Sequence, residues 1–215
     1  MNVARSMMIG DDSLDYVLLA AASRENDLIS LGNPRARFMF NFGAGGGAMI
    51  LHRNATKNLV LGASAITDGS LSETVMLTRK PDAIGEHSEI NGDVYGMLDV
   101  ENADYMAQRL GEMSLPNFIR VIRESVEKSG ATLDDIAFMG ITHMKYSFYV
   151  QILESIGLTP DQSVYLENYG HIQSVDQALA LQLGLAQGKI KPGDLIVLAG
   201  AGTGYTWSAI ALRWG

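Results

Sequence analysis

The sequence predicts an α/β fold, and three observations predict it. Short apolar runs of strand type recur along the whole chain, at Tyr16–Ala22, Leu59–Ile66, Ile136–Thr142 and Asp194–Ala199. From Leu115 onward such runs alternate with segments of helical period, three of which stop at a glycine, Gly130, Gly157 and Gly188. The chain then closes on two strand-like runs joined by Gly200-Ala201-Gly202-Thr203-Gly204, the pattern of a glycine-rich hairpin.

Taken in order, Val3, Met7 and Met8 have the spacing of an amphipathic helix that stops at Gly10, so the chain is expected to begin inside an element. MNVARSMMIGDDS is not a signal peptide, because Asp11 and Asp12 interrupt any apolar core. Tyr16–Ala22 reads as a buried strand, and residues 36–51 give two strand-like runs around Gly43 to Gly47. Leu59–Ile66 is a further strand, closed by the turn Thr67-Asp68-Gly69-Ser70. Polar residues from 78 to 112 carry few periodic cues and read as an excursion or lid, one that can also form part of a substrate tunnel. Pro116 then marks a helix start, with Phe118, Val121, Ile122, Ser125 and Val126 on one face. Strand Ile136–Thr142 leads into His143 and a helix to about Ile156, and Ser163–Glu167 is a short strand. The last helix covers Val175 to Gln187, with Ser174 and Gln177 in capping-box spacing.

Composition narrows the classes of function. At 215 residues the chain supports one sizeable core or two small ones. A net charge of −8 argues against a nucleic-acid partner. No apolar run approaches the roughly 18 residues of a membrane span, so no membrane partner is expected. The absence of cysteine removes disulfides, thiolate metal sites and thiol nucleophiles together, and leaves the cytoplasm as the expected compartment.

The two glycine clusters invite a dinucleotide reading, which their context refutes. A pyrophosphate turn must open a helix, whereas Ala48-Met49-Ile50-Leu51 and Thr206-Trp207-Ser208-Ala209-Ile210 both read as strands. Gly43 to Gly47 are better explained by a close backbone crossing. The later turn can instead aim backbone N–H groups at a developing oxyanion, which makes Gly202 and Thr203 candidate donors. His143 follows an apolar strand at the end where α/β sheets present catalytic groups. His171, in Asn168-Tyr169-Gly170-His171, precedes the last helix, whose positive end is expected to keep the imidazole neutral. A capping histidine and a loop histidine are the plain alternatives, but two histidines at successive strand-to-helix mouths form a converging set. His52 and His87 receive no role, and no histidine pair has helical metal-ligand spacing, so no metal is expected.

These motifs, in this order, resemble β-ketoacyl-acyl carrier protein synthase III and its relatives among the thiolase-fold condensing enzymes. The resemblance runs along nearly the whole chain. It rests on Phe42-Gly43-Ala44-Gly45-Gly46-Gly47-Ala48, the Asp68-Gly69-Ser70 turn, His143 after its strand, Asn168 through Asp194, and the closing LIVLAGAGTGYTWSAIALRW. It implies a layered αβαβα fold with residues 1–80 as the remnant of an N-terminal half, 81–112 as the lid and 113–215 as the C-terminal half. It also implies coenzyme A or acyl carrier protein thioesters as substrates, no tightly bound cofactor, and a dimer. In that family a cysteine at a buried helix N-terminus takes the acyl group, while a His and an Asn assist decarboxylative attack by a malonyl thioester.

The sequence departs from that pattern in three ways. The expected cysteine would precede Met1; the family's Asn corresponds to His171 in Gly170-His171-Ile172-Gln173-Ser174; and Met144-Lys145-Tyr146-Ser147-Phe148 replaces the usual Gln-Ala-Asn. Three functions follow as expectations. The first is a 3-oxoacyl-acyl carrier protein synthase III-like acyltransferase of fatty acid or polyketide-like biosynthesis, truncated or split and inactive alone. The second is a non-catalytic subunit that dimerises with a Cys-bearing thiolase-fold paralogue; the assembly expected is a homodimer or a heterodimer with such a chain. The third is an acyltransferase to a hydroxyl or amine.

Overall fold

The computed structural model describes residues 1–77, 88–90 and 93–215, so most of the predicted lid segment between 78 and 92, with His87, lies outside the described residues. Helix α1 (Asn2–Gly10) is followed by β1 (Tyr16–Ser23), β2 (Gly45–His52) and β3 (Leu59–Thr67). Short strands follow at β4 (Val75–Leu77), β5 (Ser88–Ile90), β6 (Asp93–Tyr95) and β7 (Leu98–Val100). The second half runs α2 (Ala103–Glu127), β8 (Ile136–Ile141), α3 (Tyr146–Ser155), α4 (Asp176–Ala186), β9 (Leu195–Gly202) and β10 (Thr206–Arg213).

The main sheet has the order β3-β10-β9-β8, antiparallel except for the β8–β9 pair. Alternation along its strands divides the core in two. Leu195, Val197 and Ala199 of β9 join Met139 and Ile141 of β8 in one cluster, with Phe118, Val121 and Ile122 of α2. Ile196 and Leu198 join Phe138 in the other, with Ala180 of α4. Helix α2 and helix α4 therefore cover opposite faces of one sheet, the arrangement a sheet with two apolar faces requires. Close approach needs glycine where β8 meets α4: a Cβ at Gly184 would stand 2.6 Å from the Phe138 ring. Beyond α4 lies the β1–β2 ribbon, antiparallel from Tyr16 opposite His52 to Ser23 opposite Gly45. Helix α1 is tied to both sides: Arg5 reaches the carbonyl of Val60 in β3, and Arg53 at the end of β2 donates to the carbonyls of Met8 and Asp11.

Three local expectations differ from what is observed. Residues 34–39 form a 3₁₀ turn, so the glycine cluster opens one strand, β2, and does not join two. The long helix starts at Ala103 and carries Pro116 in its interior. Asn102 caps it, accepting from the Tyr105 N–H at 3.2 Å. Ser163–Glu167 forms no strand beyond a single bridge from Ser163 to Met139. There the Ser163 hydroxyl donates to the Met139 carbonyl at 2.6 Å, and a capping box at Thr159 turns the chain just before it.

Candidate active site

His171 is held by its backbone before its ring does anything. Its N–H donates to the Asn41 carbonyl and its carbonyl accepts from the Gly43 N–H, both at 2.9 Å. This two-bond bridge brings the loop before α4 against the turn before β2. Two glycines permit it. Gly170 has φ +69°, and a Cβ there would run into the Asn41 carbonyl; a Cβ at Gly43 would run into that of Tyr169. Phe42 then packs against the imidazole in a T-shaped contact with ring centroids 5.1 Å apart.

The ring's polar partner is one the sequence reading passed over. Asp176, in the first turn of α4, is fully buried, and its Oδ2 lies 2.6 Å from Nδ1 of His171. The same oxygen accepts from the Thr142 hydroxyl at 2.9 Å and from the His143 N–H at 2.7 Å, while Oδ1 accepts from the Ile172 N–H at 2.7 Å. Burial pushes the carboxyl up, but the bond and charge of His171 and the two backbone N–H groups outweigh it and hold it below its ordinary value. One carboxylate thus ties together the end of β8, the His171 loop and the start of α4. The predicted capping box is absent: α4 has no side-chain cap, and the Gln177 amide instead donates to the Ala199 carbonyl at 3.1 Å.

His143 sits at the end of β8 as its position in sequence requires, half-buried, with its ring 4.8 Å from that of Tyr165. Its Nδ1 is buried without a hydrogen-bond partner, and burial pushes the imidazole down, only partly offset by the Asp176 charge. Tyr165 is fixed in turn by donating its hydroxyl to the Met144 carbonyl at 2.8 Å.

A cavity of about 650 Å³ opens between the main sheet and the β1–β2 ribbon. His171 and Thr142 line it, with Gly200 to Gly202 of β9, Ser174 before α4, and Met1 to Val3 of α1. The structure brings His171 and Gly202 to this one space; His143 joins the cluster through Asp176 and does not line the cavity. Gly202 and Thr203 are both exposed at the β9–β10 hairpin. Next to them, burial pushes the Tyr205 phenol up to about 12, which removes it as a source of protons near neutrality. Among the described residues no cluster of His, Asp and Glu has the makings of a metal site.

Residues 1–69 match the model of 3-oxoacyl-[acyl-carrier-protein (ACP)] synthase III, and residues 126–214 match that of its C-terminal part. The chain belongs to the 3-oxoacyl-ACP synthase III family. The β-ketoacyl-[acyl-carrier-protein] synthase III of Porphyra umbilicalis is 27% identical over 222 aligned positions, covering 99% of this chain and 64% of that protein. Its counterpart in Pyropia yezoensis is 28% identical over 165 positions, covering 74% of this chain and 48% of that one. The fold agrees: the crystal structure of β-ketoacyl-[acyl carrier protein] synthase III from Thermus thermophilus superposes with a TM-score of 0.79 at 22% identity, covering all of this chain and 64% of that one. The chain thus spans about half to two thirds of the length of these relatives. The layered α/β fold is that of the thiolase-like condensing enzymes.

Proposed function

We propose that this chain carries the second-substrate half of a thioester-condensing site: the part that binds a malonyl-type thioester and stabilises the enolate formed when it loses carbon dioxide. The observation that supports this most directly is the Asp176 knot. It fixes His171 at the wall of a cavity and His143 beside it, at the mouths of two successive strand-to-helix units. His171, at the cavity wall, acts on the thioester carbonyl of the second substrate, with His143 beside it at the mouth of the neighbouring unit, and the backbone N–H groups of Gly202 and Thr203 serve a separate acyl carbonyl. Coenzyme A or acyl carrier protein presents the thioester, in the cytoplasm. Among the described residues no helix is long and apolar enough to cross a membrane. These 215 residues contain no cysteine, so the thiol that takes the first acyl group comes from outside them.

A specific observation also favours a partner. Val3, Ile9, Leu18 and Ile50 of α1 and the β1–β2 ribbon are 74%, 73%, 63% and 69% exposed. Exposed apolar side chains of this size, Leu18 and Ile50 being cross-strand partners, fit a dimer interface, formed with a second copy or with a Cys-bearing chain that this one supports without reacting itself.

Release of carbon dioxide from malonyl-coenzyme A tests the leading reading without needing the thiol. The chain should release it above the buffer rate, and His143→Ala and His171→Ala should each lower that release by about 10²-fold. Release no faster than buffer, with association with a thiolase-fold chain seen by sedimentation, would leave the subunit reading in its place.

A further inference from the structure

The Asp176 carboxylate decides which nitrogen of His171 carries the proton. A carboxylate only accepts hydrogen bonds, and this one already accepts from the Ile172 and His143 N–H groups and the Thr142 hydroxyl. Nδ1 of His171, 2.6 Å from Oδ2, must therefore be a donor. A neutral imidazole has one N–H only. With that hydrogen held on Nδ1, Nε2 is a bare lone pair, and it becomes a donor only when the ring is an imidazolium. The positive end of α4 alone would allow a neutral ring with its hydrogen on Nε2; the bond to Asp176 does not.

The groups around the ring are few. Asp176 stands at Nδ1 and the Thr142 hydroxyl is 3.5 Å from the same nitrogen, already committed to Asp176. Glu25, after β1, feels the charge of His171. His143, after β8, interacts with it as well, and Phe42 closes another side. Nothing in this set supplies a second acceptor for Nδ1.

We propose that Asp176 is a positioning residue that locks the neutral His171 ring in its Nδ1–H form, so that His171 donates a hydrogen bond into the cavity only when it is protonated. Within the reading of the cavity as a malonyl-thioester site, the neutral ring then offers the enolate a lone pair and only the imidazolium offers it a hydrogen bond. A substrate carboxylate or a developing oxyanion meets a cation in the protonated ring and a lone pair in the neutral one.

Nitrogen NMR of the 215-residue chain tests this directly. Two-bond proton–nitrogen spectra of the ¹⁵N-labelled protein resolve protonated from bare ring nitrogens, and His171→Gln assigns the His171 signals by their loss. In the neutral ring Nδ1 should be the protonated nitrogen by at least about ten to one, the preference a charge-assisted bond imposes, and acidification should add a proton at Nε2. Asp176→Asn should bring that ratio below about two while amide signals outside the 141–143 and 165–180 segments stay in place. If Asp176→Asn does not fold, the parent spectrum alone decides. A neutral parent ring protonated on Nε2, or a variant that keeps the parent's ratio, overturns the proposal. The readout needs no turnover, so a silent malonyl assay with Nδ1 protonated sinks the substrate reading and leaves the role of Asp176 standing.

Discussion

Alanine at Gly170 and alanine at Gly188 separate two costs that usually arrive together. The two glycines share one conformation, φ +69° and +68°. A Cβ in that left-handed region costs about 1–2 kcal/mol wherever it is placed. Around Gly188, past the end of α4, an added Cβ has nothing within 4 Å, so the backbone cost is the whole cost. Around Gly170 it meets the Asn41 carbonyl, the same oxygen that accepts from the His171 N–H. A backbone oxygen in a two-bond bridge cannot swing aside as a side chain does, and crowding of this kind adds about 1–3 kcal/mol. Gly188→Ala should therefore lose about 1–2 kcal/mol and Gly170→Ala about 2–5 kcal/mol, read from urea midpoints with an unchanged slope. Relief of the crowding moves His171 away from Asp176, so the neutral Nδ1–H preference should fall in Gly170→Ala and persist in Gly188→Ala. Losses equal within about 0.5 kcal/mol would mean that the 41–43 bridge does not position His171.

Two further outcomes follow. Burial pushes the Asp99 carboxyl up, but bonds from Arg35, Asn33 and the Val100 N–H outweigh it, so Asp99 and Asp176 both lie below the ordinary 3.8. The unfolded chain then takes up protons that the folded one refuses: stability is complete above the unfolded values and is lost as pH falls through the folded ones. Asp99→Asn should flatten that acid limb in a series of melting curves, and a limb of unchanged steepness would refute the assignment. Incubation with an acyl-coenzyme A should leave the intact mass unchanged, since the sequence has no thiol; a stoichiometric adduct on one residue that survives denaturation would show a nucleophile elsewhere.

The sequence made the second half of the fold legible because its strands are buried on both faces. Ile136–Ile141 and Leu195–Gly202 are continuous apolar runs, and the 3.6-residue period between them has only one structural meaning. The start of α2 was hidden by a stronger local signal. Met106, Leu110 and Met113 already have helical spacing, but Pro116 reads as a first-turn residue. Inside a helix it deprives the Glu112 carbonyl of its donor. Both Glu112 and Pro116 are exposed, so water replaces the missing bond at small cost and the helix continues.

The site was half legible for a related reason. His143 and His171 stand out because histidine at a strand-to-helix mouth is chemically conspicuous, whereas an acid in the first turn of a helix, as Asp176 is, draws no notice. Composition of α4 carried the missing signal. Among Asp176–Ala186 the only polar residues are Asp176, Gln177 and Gln182, so the helix has no polar face with which to meet water. An acid on such a helix faces inward, and a buried carboxylate needs donors for both oxygens. The nearest basic side chain in sequence is His171, five residues earlier, and the nearest free backbone N–H groups are those of the turn leading into the helix and of the strand end it packs against. A helix this poor in polar residues, with one acid in its first turn and a histidine just before it, therefore predicts the pair, and with the pair which imidazole nitrogen keeps a lone pair in the neutral ring.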